Sequence, residues 1–340
     1  MLHKRYFVTV IAAIVFALQM VGCGSRASIA REANPTIMSA STLEPAATAS
    51  LEHHPELELV WEITGDTNSL SSPVGITVDQ DGNVYVMDTE NNRVQKFDSN
   101  GNFVSMWGSQ GNGEGQFQNT SSQDWLGHMI VDTHGNLYVI DANNFRIQKF
   151  DSNGNYQTQW GTKGTGDGEF SFIPFDIAID PQDNVYVCES ASVHRVQKFD
   201  ENGKFLLTWG KLGYKDGEFS SGDNCSVAVD PDGNILVADN SGRIQKFDAN
   251  GLFLSKIILS PVNDVSVSLW NMAVDQQGNI YVGDATHALV IKLDYDGQVL
   301  ASWTIGEAES TNLQDIAVDT EGNIYISDVL KNIVRKFRQT

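Results

Sequence analysis

Between residues 57 and 337 the chain alternates apolar and polar positions in short runs, and each run ends at a polar, often glycine-bearing break. One stretch shows the pattern: Ile76-Thr77-Val78-Asp79, then Val84-Tyr85-Val86-Met87-Asp88, then Arg93-Val94-Gln95-Lys96-Phe97-Asp98. A period of two, rich in β-branched and aromatic residues, predicts strands. The breaks carry Asp81-Gly82 and Asn100-Gly101. These dipeptides predict two-residue type I′ hairpins, in which both central residues take positive φ. Each stretch is therefore expected to fold as an antiparallel meander.

The stretch repeats. The Asp that ends its first strand returns at Asp132, Asp180, Asp230, Asp275 and Asp319, at spacings of 53, 48, 50, 45 and 44 residues. That is the length of one propeller blade. Fourth strands follow at Phe103-Val104-Ser105-Met106-Trp107, Tyr156-Gln157-Thr158-Gln159-Trp160 and Phe205-Leu206-Leu207-Thr208-Trp209. The sixth repeat stops at Lys336-Phe337 without one, while Leu57-Glu58-Leu59-Val60-Trp61-Glu62-Ile63 has the look of a fourth strand. The expected fold is all-β: a six-bladed β-propeller of four-stranded antiparallel blades, the last blade closed by the N-terminal strand. Closure would remove the exposed sheet edge of an open array.

The N-terminus has a different character. A basic start (His3-Lys4-Arg5) precedes an apolar run from Tyr6 to Leu18. This is signal-peptide length and short for a membrane span. Met20-Val21-Gly22-Cys23 resembles a bacterial lipobox, with Met20 where leucine is usual. The resemblance implies removal of residues 1–22 and lipidation at Cys23. Residues 23–56 then read as a lipidated cysteine followed by a disordered tether, and 57–340 as the propeller. An anchor of several acyl chains gives stable attachment. The expected place is the cell envelope, extracytoplasmic, with membrane contact through the lipid alone.

Charge narrows the partners. The formal net charge is −21, and loss of Lys4 and Arg5 with the leader leaves 20 basic and 43 acidic residues, or −23. Affinity for nucleic acid comes largely from Lys and Arg on phosphates, so nucleic-acid binding is not expected. The chain is expected to be a monomer. Its remaining cysteines, Cys188 and Cys225, fall near the same face of adjacent blades, as a disulfide or as two buried thiols.

Taken together, the repeated stretches resemble NHL repeats over about residues 57–337. The family pattern pairs an acid ending strand two with an Arg opening strand three. Here the pairs are Asp88 with Arg93, Asp141 with Arg146, Glu189 with Arg195 and Asp239 with Arg243, while Leu289 and Ile333 take the Arg position in the last two blades. They are expected to brace loops. The resemblance implies a binding or scaffold module that presents its long-loop face to a peptide, protein or glycan.

Tight turns occupy one face of such a disc and longer links the other, so the long-loop face is the expected site and the tight-turn face has little to build one from. Counting four back from each repeated Asp gives a ring: Gly75, His128, Asp176, Ser226, Asn271 and Asp315. Phe175 and Trp270 precede two of these positions, and Trp125 lies close by. The candidate ligand-binding set is Trp125, His128, Phe175, Asp176, Trp270, Asn271 and Asp315, a mixed polar and aromatic mouth. Similar propellers of the amidating-lyase type hold zinc with three channel histidines; here only His128 is near the ring, so zinc is not expected. Lactonase-type propellers hold calcium with channel oxygens. Asp176, Asn271 and Asp315 could do so, with His128 as a base, which gives the alternative of a calcium-dependent lactonase-like or lyase-like enzyme. No cofactor is required by the leading reading.

Overall fold

A computed structural model describes residues 55–64, 69–118, 127–171, 174–190, 193–222, 224–239, 241–259, 261–262, 267–308 and 311–340. The chain enters through β1 (Leu57–Thr64). Blade 1 is β2 (Pro73–Val78), β3 (Val84–Asp88), β4 (Arg93–Phe97) and β5 (Phe103–Trp107), and blade 2 is β6 (Met129–Val131), β7 (Leu137–Asp141), β8 (Arg146–Phe150) and β9 (Tyr156–Trp160). Blade 3 is β10 (Pro174–Ile179), β11 (Val185–Glu189), β12 (Arg195–Phe199) and β13 (Phe205–Trp209); blade 4 is β14 (Cys225–Val229), β15 (Ile235–Asp239), β16 (Arg243–Phe247) and β17 (Phe253–Ile258). Blade 5 is β18 (Asn271–Val274), β19 (Ile280–Asp284), β20 (Leu289–Leu293) and β21 (Val299–Thr304). Blade 6 is β22 (Leu313–Val318), β23 (Ile324–Asp328) and β24 (Ile333–Gln339), with β1 paired antiparallel to β24 from Leu57↔Gln339 to Thr64↔Ile333. Each first strand touches the first strand of the next blade, and β22 touches β2, so the ring is closed.

The turns differ from the type I′ expectation. Positive φ falls on Gly82, Gly101 and their equivalents, while Asp81 and Asn100 stay at negative φ. The hydrogen bonds run Gly82 N to Asp79 O and Asp79 N to Asn83 O, which is a three-residue loop ending in a left-handed glycine. The reason lies one position earlier than the dipeptide. Asp79 Oδ1 accepts from the N–H groups of Asp81 and Asn83, stabilising negative φ at Asp81. Asp98, Asp132, Asp151, Asp180, Asp200, Asp230, Asp248, Asp275, Asp294 and Asp319 repeat this bond pair.

Blades lock to one another by recurrent contacts. The second-strand tyrosines Tyr85, Tyr138, Tyr186, Tyr281 and Tyr325 are fully buried and bond the turn aspartate of their own blade. Lys96 Nζ sits 4.9 Å from the Tyr85 ring centroid and donates to the Ser152 carbonyl of the next blade. Lys149 and Lys198 do the same, to Glu201 and Ala249. Four fourth-strand tryptophans lie on the glycine of the next blade's outer turn: Trp107 on Gly154, Trp160 on Gly203, Trp209 on Gly251, and Trp61 of β1 on Gly101, while Trp303 of β21 donates instead to the Pro55 carbonyl. Trp61 also donates to the Ser99 carbonyl, so β1 ties blade 6 to blade 1.

The acid–Arg pairs hold links between blades. Arg146 Nε bonds Asp141 at 2.7 Å, and its other nitrogens reach the carbonyls of Asn112, Gly113 and Gln116 in the preceding link. Arg195 and Arg243 hold the next two links alike. Cys188 of β11 and Cys225 of β14 form a disulfide, with Cα atoms 6.3 Å apart, joining blades 3 and 4.

The Trp-on-glycine contact gives a direct prediction. A Cβ at Gly203 (φ +85°) would lie 2.3 Å from the Trp160 ring, whereas one at Gly217 (φ +79°) would meet nothing within 4 Å. Gly203→Ala is expected to cost about 2–5 kcal/mol in denaturant unfolding, from clash plus backbone strain. Gly217→Ala should cost only about 1–2 kcal/mol. Equal losses would show that the tryptophan contact is not tight.

Candidate functional site

The six ring positions stand at the loop-side ends of the first strands, and the structure knits several of them together. Gly75 has no side chain, and the space its Cβ would take is filled by the Gly127 carbonyl, which a Cβ would meet at 2.3 Å. That close approach seats His128 between its own neighbour in blade 3 and the acid of blade 6. His128 Nδ1 lies 3.5 Å from Asp176 Oδ1 and 3.5 Å from Asp315 Oδ2. Asp176 Oδ2 accepts from Ser226 Oγ at 2.7 Å and Val227 N at 2.9 Å, and Oδ1 accepts from Ile177 N at 2.8 Å. Asp315 Oδ2 accepts from Ile76 N and Oδ1 from Ile316 N, each at 2.9 Å. Ser327 Oγ accepts from Asp315 N and donates to the Val74 carbonyl, closing the circuit onto blade 1.

These groups are buried: His128 is 6% exposed, Asp176 9% and Asp315 8%. Burial alone would lower the His128 pKa, but the charge and hydrogen bond of Asp315, then the charge of Asp176, outweigh it and push it up to about 9. Burial raises Asp176, opposed by the charge of His128 and reinforced by that of Asp315. At neutral pH the centre of the ring is therefore an imidazolium held between carboxyl groups.

The other candidates are placed as follows. Asn271 is buried and its Nδ2 donates to the Gln314 carbonyl, while Oδ1 has no hydrogen-bond partner. Phe175 is half-buried and packs against the blade 3–blade 4 core beside the disulfide. Trp270 is half-buried, with its backbone N–H donating to Gly283. Trp125 lies outside the described residues. His194 is buried in the β11–β12 loop, and His287 Nδ1 is 2.9 Å from Asp284 Oδ2, so neither joins His128.

As a calcium site the ring fits poorly. Calcium takes six to eight oxygen ligands. The Asp176 and Asp315 oxygens are engaged by backbone N–H groups, Ser226 and the imidazolium, and Asn271 Oδ1 is the one uncommitted oxygen among these three residues. The cation between the carboxylates is His128 itself. As a base it is equally unsuited, since it keeps its proton up to about 9.

Two features of the tight-turn face went beyond its expected plainness. Ligand atoms of Asp132, His134 and Asp183 lie within 4.8 Å of one another across blades 2 and 3. Asp183 stands where the other first turns carry glycine and takes φ +61°, a departure visible in the sequence. Asp132 in that group is already bonded to its turn and to Tyr138. The second feature is an open depression of about 480 Å³, lined by residues that include Val131, Pro181 and Pro231, which leads into the central channel.

Comparison with known proteins agrees with this architecture. The NHL repeat family matches residues 70–97, and a family described as a 6-bladed beta-propeller matches residues 119–197. The chain thus carries an NHL repeat within a six-bladed propeller. No curated protein matches the sequence. Among solved structures, a streptogramin B lyase aligns with a TM-score of 0.54 at 15% identity, over 84% of this chain and 98% of that one. A catalytically inactive histidine-to-alanine variant of virginiamycin B lyase from Staphylococcus aureus, bound to quinupristin, aligns at 0.56 and 12% identity, over 84% and 100%. The selenomethionine form of the same lyase gives the same values. At these identities the likeness is one of fold. No helix among the described residues is long and apolar enough to cross a membrane.

The raised His128 pKa sets a pH dependence. Its folded value of about 9 exceeds the ordinary 6.5, so its contribution is complete below about pH 6.5 and is lost as pH rises through about 9. The melting temperature of the native protein should exceed that of His128→Gln most at pH 6, and the gap should shrink toward pH 10. Parallel curves across that range would mean that His128 is neutral in the ring.

Proposed function

We propose that the protein is an extracytoplasmic binding module, tethered by lipid on Cys23 and residues 24–56, whose long-loop face takes a peptide, protein or glycan. One observation carries this reading: the charged residues of the ring are spent on one another and on neighbouring donors of the fold. Ser226 bonds Asp176, and His128 faces Asp176 and Asp315. A ring so occupied is a structural keystone more than a reaction centre. Recognition is then left to the loops around it. There the chain exposes apolar groups: Leu212 (56%) and Tyr214 (69%) on the link after β13, and Leu330 (59%) between β23 and β24. Trp270 and Phe175 stand half-buried at the loop-side ends of blades 5 and 3. Aromatic side chains on loops over a rigid scaffold favour extended or sugar ligands. The charge of −21 disfavours polyanions and favours neutral or basic ones.

Peptide and glycan arrays probed with the native protein test the reading. Tyr214→Ala or Trp270→Ala should weaken the captured interaction about tenfold or more, since a central aromatic contact is worth about 2 kcal/mol. His128→Gln should leave it within about twofold, a change of under about 0.5 kcal/mol. Binding that is lost in His128→Gln and kept in both aromatic variants would move the site into the channel. Separately, Cys23→Ala should shift the protein from the membrane to the soluble fraction on cell fractionation. Retention in the membrane would refute the lipid anchor.

A further inference from the structure

The acid that ends each second strand lets the six blades be compared atom for atom. In blades 1 to 3 one carboxylate oxygen of Asp88, Asp141 or Glu189 accepts from the Nε of Arg93, Arg146 or Arg195 at 2.7 Å. The glutamine two residues after each arginine (Gln95, Gln148 or Gln197) donates to the same oxygen. In blade 4 Asp239 Oδ2 takes Arg243 Nε at 2.9 Å. Blade 5 has Leu289 in the arginine position, and there His287 Nδ1 lies 2.9 Å from Asp284 Oδ2.

Blade 6 keeps the acid and loses both donors. Ile333 stands in the arginine position and Arg335 in the glutamine position. Arg335 turns away to β1, with its Nε 2.7 Å from Glu62 Oε2. Lys331 is also committed elsewhere, donating to Thr311 Oγ1 at 3.0 Å. Asp328 Oδ1 accepts from the backbone N–H groups of Asn312, Leu330 and Lys331. Asp328 Oδ2 has no hydrogen-bond partner, although the residue is only 1% exposed. A buried acceptor left without a donor is costly, and four sister blades meet that cost with a guanidinium of their own. The position lies on the long-loop face, where β23 ends and β24 begins. Leu330, exposed on the loop between them, offers an aliphatic surface to the stem of a long side chain.

We propose that blade 6 takes the side chain of an arginine from a bound peptide or protein, with its guanidinium on Asp328 in the place that Arg93, Arg146, Arg195 and Arg243 fill in their own blades. The inference rests on the reading of the long-loop face as a peptide- or protein-binding surface and narrows its ligand to arginine-bearing chains. A planar guanidinium carries several N–H donors in a fixed fork, so it can meet the acid and nearby carbonyls together, as Arg146 does in blade 2. The net charge of −21 attracts such a ligand. Asp328 is covered, so entry requires the side chains over it to turn aside, which holds the affinity for a single arginine low.

The test uses the full-length protein at pH 7, titrated with N-acetyl-arginine-amide chloride by calorimetry and followed by thermal unfolding. N-acetyl-citrulline-amide, of the same shape without the charge, and potassium chloride are the comparisons. The arginine compound should bind with a Kd on the order of 1 mM and, at about ten times that concentration, raise the melting temperature by about 2–4 °C. The two comparison solutes should give no such shift. Asp328→Asn should weaken binding tenfold or more. Ile333→Arg, which returns the chain's own arginine to the position, should abolish binding without lowering the unliganded melting temperature; it decides the matter if Asp328→Asn fails to fold. An equal shift with the citrulline compound or with potassium chloride overturns the proposal, as does native affinity in Ile333→Arg. Array capture of peptides without arginine, joined to no binding of the arginine compound, overturns this inference alone and leaves the loop-face reading standing. Binding of the arginine compound with no array capture supports the arginine site and counts against the wider loop surface.

Discussion

The structure depends on one bond pattern more than any other: an aspartate at the end of a strand whose carboxylate accepts the backbone N–H groups two and four residues on. Eleven turns among the described residues carry it. Each bond set fixes the turn, and the turn fixes the register of the hairpin. In the first turns the second carboxylate oxygen takes the tyrosine hydroxyl of the next strand, and lysine lies over that tyrosine on its way to the neighbouring blade. Local turn chemistry is thereby tied to the packing between blades. These bonds also hold Asp98 and Asp151, chiefly through the side chains of Asn102 and Asn155, below the usual carboxylate range. Much of the acidity that looks like a solubilising surface is thus part of the framework.

The blade count and the strands were legible because the repeat is written in full, aspartate by aspartate. Counting four back from Asp132, Asp180 and Asp319 found His128, Asp176 and Asp315, since a fixed strand length converts a sequence offset into a position on the ring. What the offset could not supply was the partner of each side chain. His128 reaches past blade 1 to Asp315 because Gly75 lets the Gly127 carbonyl press against it, a contact between residues about fifty apart. The turn type was misread because Asn-Gly and Asp-Gly serve two kinds of hairpin, and the choice lies with the aspartate before them. The cysteines were on the right face of the right blades, but bonding them needs a Cα separation that no spacing gives. The channel lining was hidden by its ordinariness: Val78, Val229 and Val318 read as routine strand residues, and only the ring brings them to one cavity.

The ring at the loop end and the bore below it use opposite means to stay in one shape. The ring is rigid because its polar groups have few alternatives; His128 displaced from Asp176 and Asp315 would leave two buried acids without a counter-charge. The bore is lined by residues of all six first strands, with Ala178, Ala228, Ala273 and Ala317 at four of the matching positions and Thr77 and Ile130 at the other two. A substitution in the first is felt as lost charge balance, and in the second as lost volume. The disulfide stands close to both, since Cys188 pairs in register with Asp176 and Cys225 precedes Ser226.

The joining of β1 to β24 makes the last blade the one that depends on both ends of the domain. Glu56 and Thr340 exchange backbone hydrogen bonds, so the two ends of the folded domain are neighbours across the last blade. Five blades are complete within their own stretches of chain, but the sixth waits for the final strand to meet the first. Until then the chain is an open arc with two bare edges, the form most exposed to pairing with another chain. The pairing of β1 with β24 is thus the longest-range strand contact of the domain, and closing the ring depends on it.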